Sequence, residues 1–370
     1  ISGGKDSAAL AIYLNDKYPQ LNFEYYFCDT GKELDETYQL IDSLESYLGK
    51  KVLRLENDEL TGSYESPFDF YYKSFRGYLP SPQARWCTAL MKLKPFEKFV
   101  NGEPTVSYVG IRGDEEREGY ISKQDNIQSI FPFRKNIWSS DVMHKLFNPE
   151  NQKAVMDFYG SFYNGKKLDK IFDLLSEPIS FDRNYRLETE RIIKNKANSL
   201  LAMGIPEFNR TVFQFVKSVG YSLSFEEDYA LLDNEDIIVR DDVFKILRES
   251  GVGVPQYYEK IEYEVDGQKG EYARSRSGCY FCFFQQKIEW VWLFEQHPDL
   301  FKEAIKYENA DESFTWVSDE SLSELTEPDR VRQIKLDHLK RSNKKKSKSS
   351  LYLIDILEDT ERDGCNTCFL

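Results

Sequence analysis

The chain has 370 residues, more than one compact core holds, and suits two or three domains. Apolar residues make up 41%, charged residues 30% and aromatic residues 15%, which excludes disordered, collagen-like and low-complexity classes. Its 49 Lys plus Arg against 63 Asp plus Glu give a net charge of −14, which argues against coating nucleic acid by bulk charge but leaves local basic patches open.

In chain order, Ile1 is followed by Ser2-Gly3-Gly4-Lys5-Asp6-Ser7 and the small-residue helix start Ala8-Ala9-Leu10. A glycine pair, a lysine and a helix N-terminus make a phosphate cradle. Backbone N–H groups approach the anion, the helix dipole is positive there, and Lys5 adds a full charge. The spacing is not that of a G-x-x-x-x-G-K-[ST] loop. A glycine-rich turn capping a helix is the plainer reading of the same residues. Such cradles ordinarily follow a buried strand, so a longer polypeptide is expected to precede Ile1.

Residues 23–28 (FEYYFC) are predicted as a buried strand with Asp29-Thr30-Gly31 at its C-terminal end. Glu33 to Leu48 is predicted as an amphipathic helix, with Leu34, Tyr38, Ile41 and Leu44 or Glu45 on successive turns. A second strand follows at 52–55 (VLRL), and a helix over Lys92 to Val100 starts near Pro95. A third strand, 105–111 (TVSYVGI), leads into Arg112 and the acidic run Asp114-Glu115-Glu116. This alternation predicts an α/β fold with a doubly wound parallel sheet. Ligands of such sheets bind beyond the C-terminal strand ends, where Ser2–Ser7, Asp29–Gly31 and Arg112 all fall.

Residues 151–270 read as a mainly helical insertion, with helical patterns over Arg191–Met203 and Asp241–Glu249 and an acidic stretch from Glu226 to Asp242. Gating the substrate, binding a partner and simply packing on the core are equally open roles for it. Residues 271–370 form a cysteine-rich C-terminal region. There, Cys279-Tyr280-Phe281-Cys282 and Cys365-Asn366-Thr367-Cys368 supply four thiolates, enough for a tetrahedral Zn²⁺ or a [4Fe–4S] cluster. Independent free thiols are the third option. The aromatics Tyr280, Phe281, Phe283, Phe284, Trp290, Trp292 and Phe294 suit either a dry shell around a cluster or an ordinary core. Cys28 reads as core, and His144, His297 and His338 form no metal or triad pattern. Lys340 to Ser350 (KRSNKKKSKSS) either contacts nucleic-acid phosphates or is a flexible surface loop. Six cysteines are too few for a secreted disulfide framework, which points to the cytoplasm. No apolar run reaches the ~20 residues of a membrane span, and no signal-peptide pattern opens the chain, so no membrane partner is expected.

Taken together and in order, SGGKDS, Asp29-Thr30-Gly31, Arg85-Trp86-Cys87-Thr88 with Lys92, Lys94 and Pro95, Gly110-Ile111-Arg112, and Pro132-Phe133 with Trp138 and Asp141-Val142 resemble the PP-loop ATP pyrophosphatases of the phosphoadenylyl-sulfate (PAPS) reductase-like family. The resemblance covers roughly residues 1–147 and a segment near 272–300. It implies an adenine nucleotide alpha-hydrolase-like core over 1–150. ATP would be bound by Ser2, Gly3, Gly4, Lys5, Asp6, Ser7, Asp29, Thr30, Gly31, Gly110 and Arg112. Lys5, Asp6 and Arg112 would carry the chemistry, with Asp6 near Mg²⁺. Arg85, Lys92 and Lys94, with Cys87, would form a second anion or substrate site; solvated helix charges are the alternative for the three basic residues. Cys87 is either a persulfide carrier or an inert buried thiol. The resemblance favours iron–sulfur at Cys279, Cys282, Cys365 and Cys368.

The implied reaction is attack of an acceptor oxygen on the α-phosphate, giving an adenylate and pyrophosphate, followed by displacement by sulfur. The chain ends Asp363-Gly364-Cys365-Asn366-Thr367-Cys368-Phe369-Leu370 and lacks the Glu-Cys-Gly-Leu-His-type motif of the reductases. The likeness is therefore closest in character to the DNA phosphorothioation proteins of DndC/SspD type. That implies a DNA backbone phosphate as acceptor, a cysteine desulfurase as sulfur donor, and other modification-system proteins as partners. A sulfonucleotide reductase, a transfer-RNA thiolation enzyme and a non-catalytic nucleotide-gated regulator with a structural metal are the alternatives.

Overall fold

The computed structural model describes residues 1–57, 66–115, 117, 121–122, 124–179, 186–308, 314–318 and 320–347. The first helix, α1 (Lys5–Lys17), leads to strand β1 (Tyr25–Cys28), helix α2 (Asp35–Leu48) and strand β2 (Val52–Leu55). Then come α3 (Pro67–Ser74), α4 (Trp86–Thr88), a π-helical turn over Ala89–Leu93 and α5 (Lys94–Val100). Strands β3 (Thr105–Tyr108) and β4 (Ile127–Ile130) precede α6 (Ser140–Leu146), α7 (Gln152–Gly160), α8 (Gly165–Ser176), α9 (Arg186–Met203), α10 (Ile205–Val219) and α11 (Arg240–Glu249). Strands β5 (Ile261–Val265) and β6 (Gln268–Tyr272) are followed by α12 (Lys287–Gln296), α13 (Pro298–Ile305), α14 (Leu322–Leu325) and α15 (Pro328–Ser347). The chain is thus mixed α/β.

Two compact units are interleaved along the sequence. The first takes Ile1–Ala8, Phe23–Phe99 and the described residues from Phe244 onward. In it β1 and β2 run parallel, Tyr25 opposite Val52 and Cys28 opposite Leu55, with α2 as the crossover. Helix α2 buries Thr37, Leu40, Ile41, Leu44 and Leu48, a spacing of three and four that gives one apolar stripe. It stops at Gly49 in the left-handed region, a common C-terminal cap. Ser66 caps α3 by accepting from the Asp69 N–H, with Pro67 in the first turn. The core of this unit is aromatic and is built around Phe68, Trp86, Tyr257, Phe281, Trp290 and Trp316. Helix α12 enters that core through a capping box between Gln286 and Glu289.

The hairpin β5–β6 was not foreseen within the insertion. Its Asp266-Gly267 turn has φ of 51° and 70°, the type I′ geometry that joins antiparallel strands most tightly.

The second unit takes Ala9–Asn22 and Val100–Val243 among the described residues. Strands β3 and β4 are parallel, Thr105 opposite Ile127 and Tyr108 opposite Ile130. Strand β4 escaped sequence reading because Ile127-Gln128-Ser129-Ile130 does not alternate; all four are nevertheless buried. The polar cost is met in part: Gln128 Oε1 accepts the Leu223 N–H at 3.0 Å, while its Nε2 has no hydrogen-bond partner among the described residues. Helix α10 buries Phe208, Val212, Phe215 and Val216 and packs on α6, α7 and α9. Trp138 and Asp141 are structural here: the Trp138 indole donates to Asn209 at 3.0 Å, and Asp141 accepts from Tyr221 at 3.0 Å.

Among the described residues the parallel ladders are two-stranded, β1–β2 and β3–β4. The predicted strand 105–111 is shorter, ending at Tyr108, because Val109 and Ile111 pack with Phe131 as extended chain. No described helix is long and apolar enough to cross a membrane. The run beginning at Lys340 is helical up to Ser347, where α15 ends, rather than a loop; residues 348–350 lie outside the described residues.

Candidate functional site

The Ser2–Ser7 loop enters α1 through internal hydrogen bonds. The Ser7 hydroxyl accepts from the Ser2 N–H at 3.0 Å, lies 3.1 Å from the Ser2 hydroxyl and donates to the Gly4 carbonyl at 3.1 Å. The Ala8 N–H then makes the first helical bond to Gly4. Gly3 has φ +73°, and a Cβ there would stand 2.5 Å from the Thr37 methyl, so no other residue fits without displacing α2. Gly4 is pressed as closely, since a Cβ would lie 2.6 Å from Ser277 Oγ.

Lys5 is 3% exposed and pairs with Asp6 at 3.2 Å. Its ammonium also reaches the Ser275 carbonyl at 3.4 Å and stands 4.7 Å from the Tyr258 ring centroid. The Lys5 amide donates to Tyr258 OH at 3.4 Å, and Tyr257 OH donates to the Gly3 carbonyl at 3.4 Å. A buried ion pair is by itself weak evidence of a stabilising role. Placed on a glycine loop at a helix start, it is better suited to meeting a charge that arrives with a ligand.

The second cluster lies at the end of β1. Asp29 accepts from the Gly31 N–H at 2.7 Å and from Tyr38 at 2.9 Å, and pairs with Arg54 at 3.2 Å. Thr30 is buried; its hydroxyl donates to Glu33 at 2.7 Å and stands 3.1 Å from Cys279 Sγ. Burial, and then the Asp29 charge, push Glu33 up from its ordinary 4.5 to about 7. Burial and the neighbouring Glu33 hold the Cys279 thiol well above its ordinary range. Lys92 is near enough to pull both down in part.

The Glu33 shift has a definite sign in stability. The folded state holds the Glu33 proton more tightly than the unfolded chain, so stability is full below about pH 4.5 and is lost as pH rises toward 7. Glu33→Gln should flatten the slope of unfolding free energy against pH in that window and raise stability at pH 8. Chemical denaturation at a series of pH values checks this; an unchanged slope would show that Glu33 is ionised throughout.

Of the anticipated second anion site, Lys92 faces this cluster, and its carbonyl accepts from the Cys28 thiol at 3.6 Å. Burial also pushes Cys28 up to about 11, as suits a core thiol. Arg85 stacks 5.0 Å from the Phe284 ring centroid and donates to the Pro82 carbonyl at 3.2 Å. Cys87 is partly buried against the aromatic core, and Lys94 follows the π-helical turn. Gly110 and Arg112 belong to the second unit. There Arg112 is buried, pairing with Asp114 at 2.9 Å and Glu115 at 3.1 Å.

Cys279 and Cys282 share one turn, the Cys282 N–H donating to the Cys279 carbonyl at 3.1 Å. Two thiols do not complete a tetrahedral set. Among the described residues no group of three or more His, Cys, Asp or Glu could hold a metal. Cys365 and Cys368 lie outside the described residues.

Sequence reasoning passed over Tyr257, Tyr258, Arg274, Ser275 and Ser277, which surround the loop from more than 250 residues away. The run Arg274-Ser275-Arg276-Ser277-Gly278, set against the first cysteine pair, was the available signal. Glu33 also carried one, the Thr-x-x-Glu spacing it shares with Thr30.

A glycine–lysine loop at the start of a helix is the kind of site that accepts a phosphate. Over residues 1–136 the chain is similar to the phosphoadenosine phosphosulfate reductase domain family. The chain is 32% identical over 152 residues to the uncharacterized protein MJ0066 of Methanocaldococcus jannaschii, covering 38% of this chain and 28% of that one. It is 29% identical over 150 residues to the uncharacterized protein MJ0973 of the same organism, covering 37% of this chain and 34% of that one. The chain therefore spans about a third or less of the curated relatives it matches. No solved structure matches it.

Proposed function

We propose that this protein is an ATP pyrophosphatase that adenylates an acceptor for sulfur transfer, and that the acceptor is a backbone phosphate of DNA. The observation that carries the reading is the buried Lys5–Asp6 pair on the Ser2–Ser7 loop. An acceptor oxygen attacks the α-phosphate, the bond to the β-phosphate breaks, and pyrophosphate leaves with the electron pair. Lys5 neutralises charge on the departing phosphates, and the loop N–H groups orient them. Asp6 is the residue to hold Mg²⁺, which would further neutralise the phosphates when bound. Arg112 acts on the reacting oxygens, and Asp29–Gly31 with Gly110 bind the adenosine side. A phosphate oxygen is a poor leaving group, so adenylation precedes displacement by sulfur.

The rest of the reading follows from that assignment. A cysteine desulfurase supplies the sulfur in the cytoplasm, alongside other modification-system proteins. Cys279, Cys282, Cys365 and Cys368 hold a [4Fe–4S] cluster, with Zn²⁺ as the alternative. The fold that goes with this reading is a doubly wound parallel sheet over residues 1–150. The match to the reductase domain favours a second reading, reduction of a sulfonucleotide without ATP cleavage.

The test is incubation with α-labelled and γ-labelled ATP in the presence of DNA. Labelled AMP and pyrophosphate are expected; ADP and phosphate would sink the assignment. Mass analysis of nuclease-digested host DNA after gene deletion addresses the acceptor. Phosphorothioate-linked dinucleotides should vanish, whereas loss of thiolated transfer-RNA bases instead would move the acceptor to RNA.

A further inference from the structure

We infer that Arg274, Arg276 and Ser277 form a subsite for a tetrahedral phosphoryl group beside the Ser2–Ser7 loop. This is distinct from the basic cluster of Arg85, Lys92 and Lys94 to which the sequence pattern assigned a second anion. The three residues line one recess together with Cys282, Phe284, Gln285 and Glu289.

Arg274 is 3% exposed. Its Nη2 donates to the Cys279 carbonyl at 3.0 Å, and its guanidinium stands 5.8 Å from the Tyr257 ring centroid. Its Nη1 is buried and meets no hydrogen-bond partner among the described residues. Both side-chain amide atoms of Gln285 are in the same condition on the same recess. Buried donors left unsatisfied cost about 1–3 kcal/mol each, more when charged, so an orphaned guanidinium nitrogen in a lined recess points to a missing acceptor.

The charge of the recess sets the sign of that acceptor. Two arginines face one carboxylate, and both oxygens of Glu289 are already engaged, by the Ser275 N–H at 2.6 Å and the Gln286 N–H at 2.7 Å. Lys5, already paired with Asp6 at 3.2 Å, borders the recess at the Ser275 carbonyl, 3.4 Å away, and adds no net charge to it. The recess touches the loop itself, because Ser277 Oγ fills the space a Gly4 side chain would need. A planar guanidinium fork, a hydroxyl and an amide suit a group with several oxygens in a tetrahedron. Such a group comes either from the nucleotide's own phosphates or from the phosphodiester of an acceptor. Only the choice between these sources rests on the function proposed above.

The test is calorimetric titration of the full chain with inorganic pyrophosphate, with ATP and with a short duplex DNA oligonucleotide. Arg276→Ala with Ser277→Ala is the principal variant, since it spares the buried Arg274 and its bond to Cys279. Arg276→Lys is the conservative variant, and Arg191→Ala, on an exposed face of the second unit, controls for bulk charge. Losing charge-assisted bonds should weaken the relevant probe about 10-fold or more, with Arg276→Lys in between and Arg191→Ala unchanged. Pyrophosphate and ATP weakened together assign the recess to the nucleotide. The oligonucleotide weakened with ATP unchanged assigns it to the acceptor. All three unchanged in a double variant that melts like the parent overturns the subsite and leaves the recess to water. If the parent releases no pyrophosphate from ATP and the variants still lose anion affinity, the function fails and the subsite stands.

Discussion

Replacing Lys5 with Ala should lower the rate of pyrophosphate release from ATP by ~10²-fold or more, the loss typical of removing one preorganised charge at a reacting centre. The same change strips Asp6 of its partner at 3.2 Å in a site where both side chains are 4% exposed. Leaving one buried charge unpaired costs about 3–5 kcal/mol. Misfolding alone would also slow the variant, so the two effects need separating. Lys5→Met with Asp6→Asn removes both charges and nearly keeps the volume. It should regain most of the stability lost in Lys5→Met alone, read by urea denaturation, while pyrophosphate release stays low. Recovery of the rate in the double variant would reduce Lys5 to a structural role.

The second large effect is on stability. Phe281→Ala should cost about 3–5 kcal/mol, the range for truncating a fully buried aromatic. Phe281 is 1% exposed, with ring centroids of Phe68, Tyr280, Trp316 and Tyr307 at 4.5, 4.6, 4.7 and 5.0 Å. Phe225→Ala, at 74% exposure, should stay within about 0.5 kcal/mol and serves as the control. A Phe281→Ala midpoint within error of the parent would mean that the ring does not belong to the core. The prediction bears on how the first cysteine pair is built. Phe281, one of the two residues between Cys279 and Cys282, is anchored in an aromatic cluster that holds the pair's turn in place, whatever the cysteines bind.

The aromatic cluster also shows where sequence reading stops. Dense aromatics around the pair were compatible with a dry cluster shell or with a plain helical core, since both need the same apolar side chains. Phe281 packs against residues as distant as Phe68 and Trp316, which makes it part of a core and leaves open what the cysteines beside it bind. Strand β5 and the turn after it are legible in the sequence. Ile261-Glu-Tyr-Glu-Val alternates, and Asp266-Gly267 is a strong short-range hairpin signal, yet the stretch was absorbed into an expected helical insertion.

What the sequence by itself determined is local. The strands around Tyr25–Cys28 and at Val52–Leu55, the stripe of α2, the helix over Asp241–Glu249 and the Ser2–Ser7 loop all follow from side-chain period and glycine, whereas Pro95 lies inside a helical run that begins at Trp86. Those rules act over a few residues, where backbone hydrogen bonds and steric limits are set. What only the tertiary structure decided is which distant groups close around the loop. Tyr258 and Ser275 reach Lys5 across 253 and 270 positions, Cys279 meets Thr30 across 249, and Glu33 is pushed up by burial that no window of sequence encodes. Collapse of an aromatic core fixes those neighbours. Burial and charge therefore become properties of the site only once the chain has folded around it.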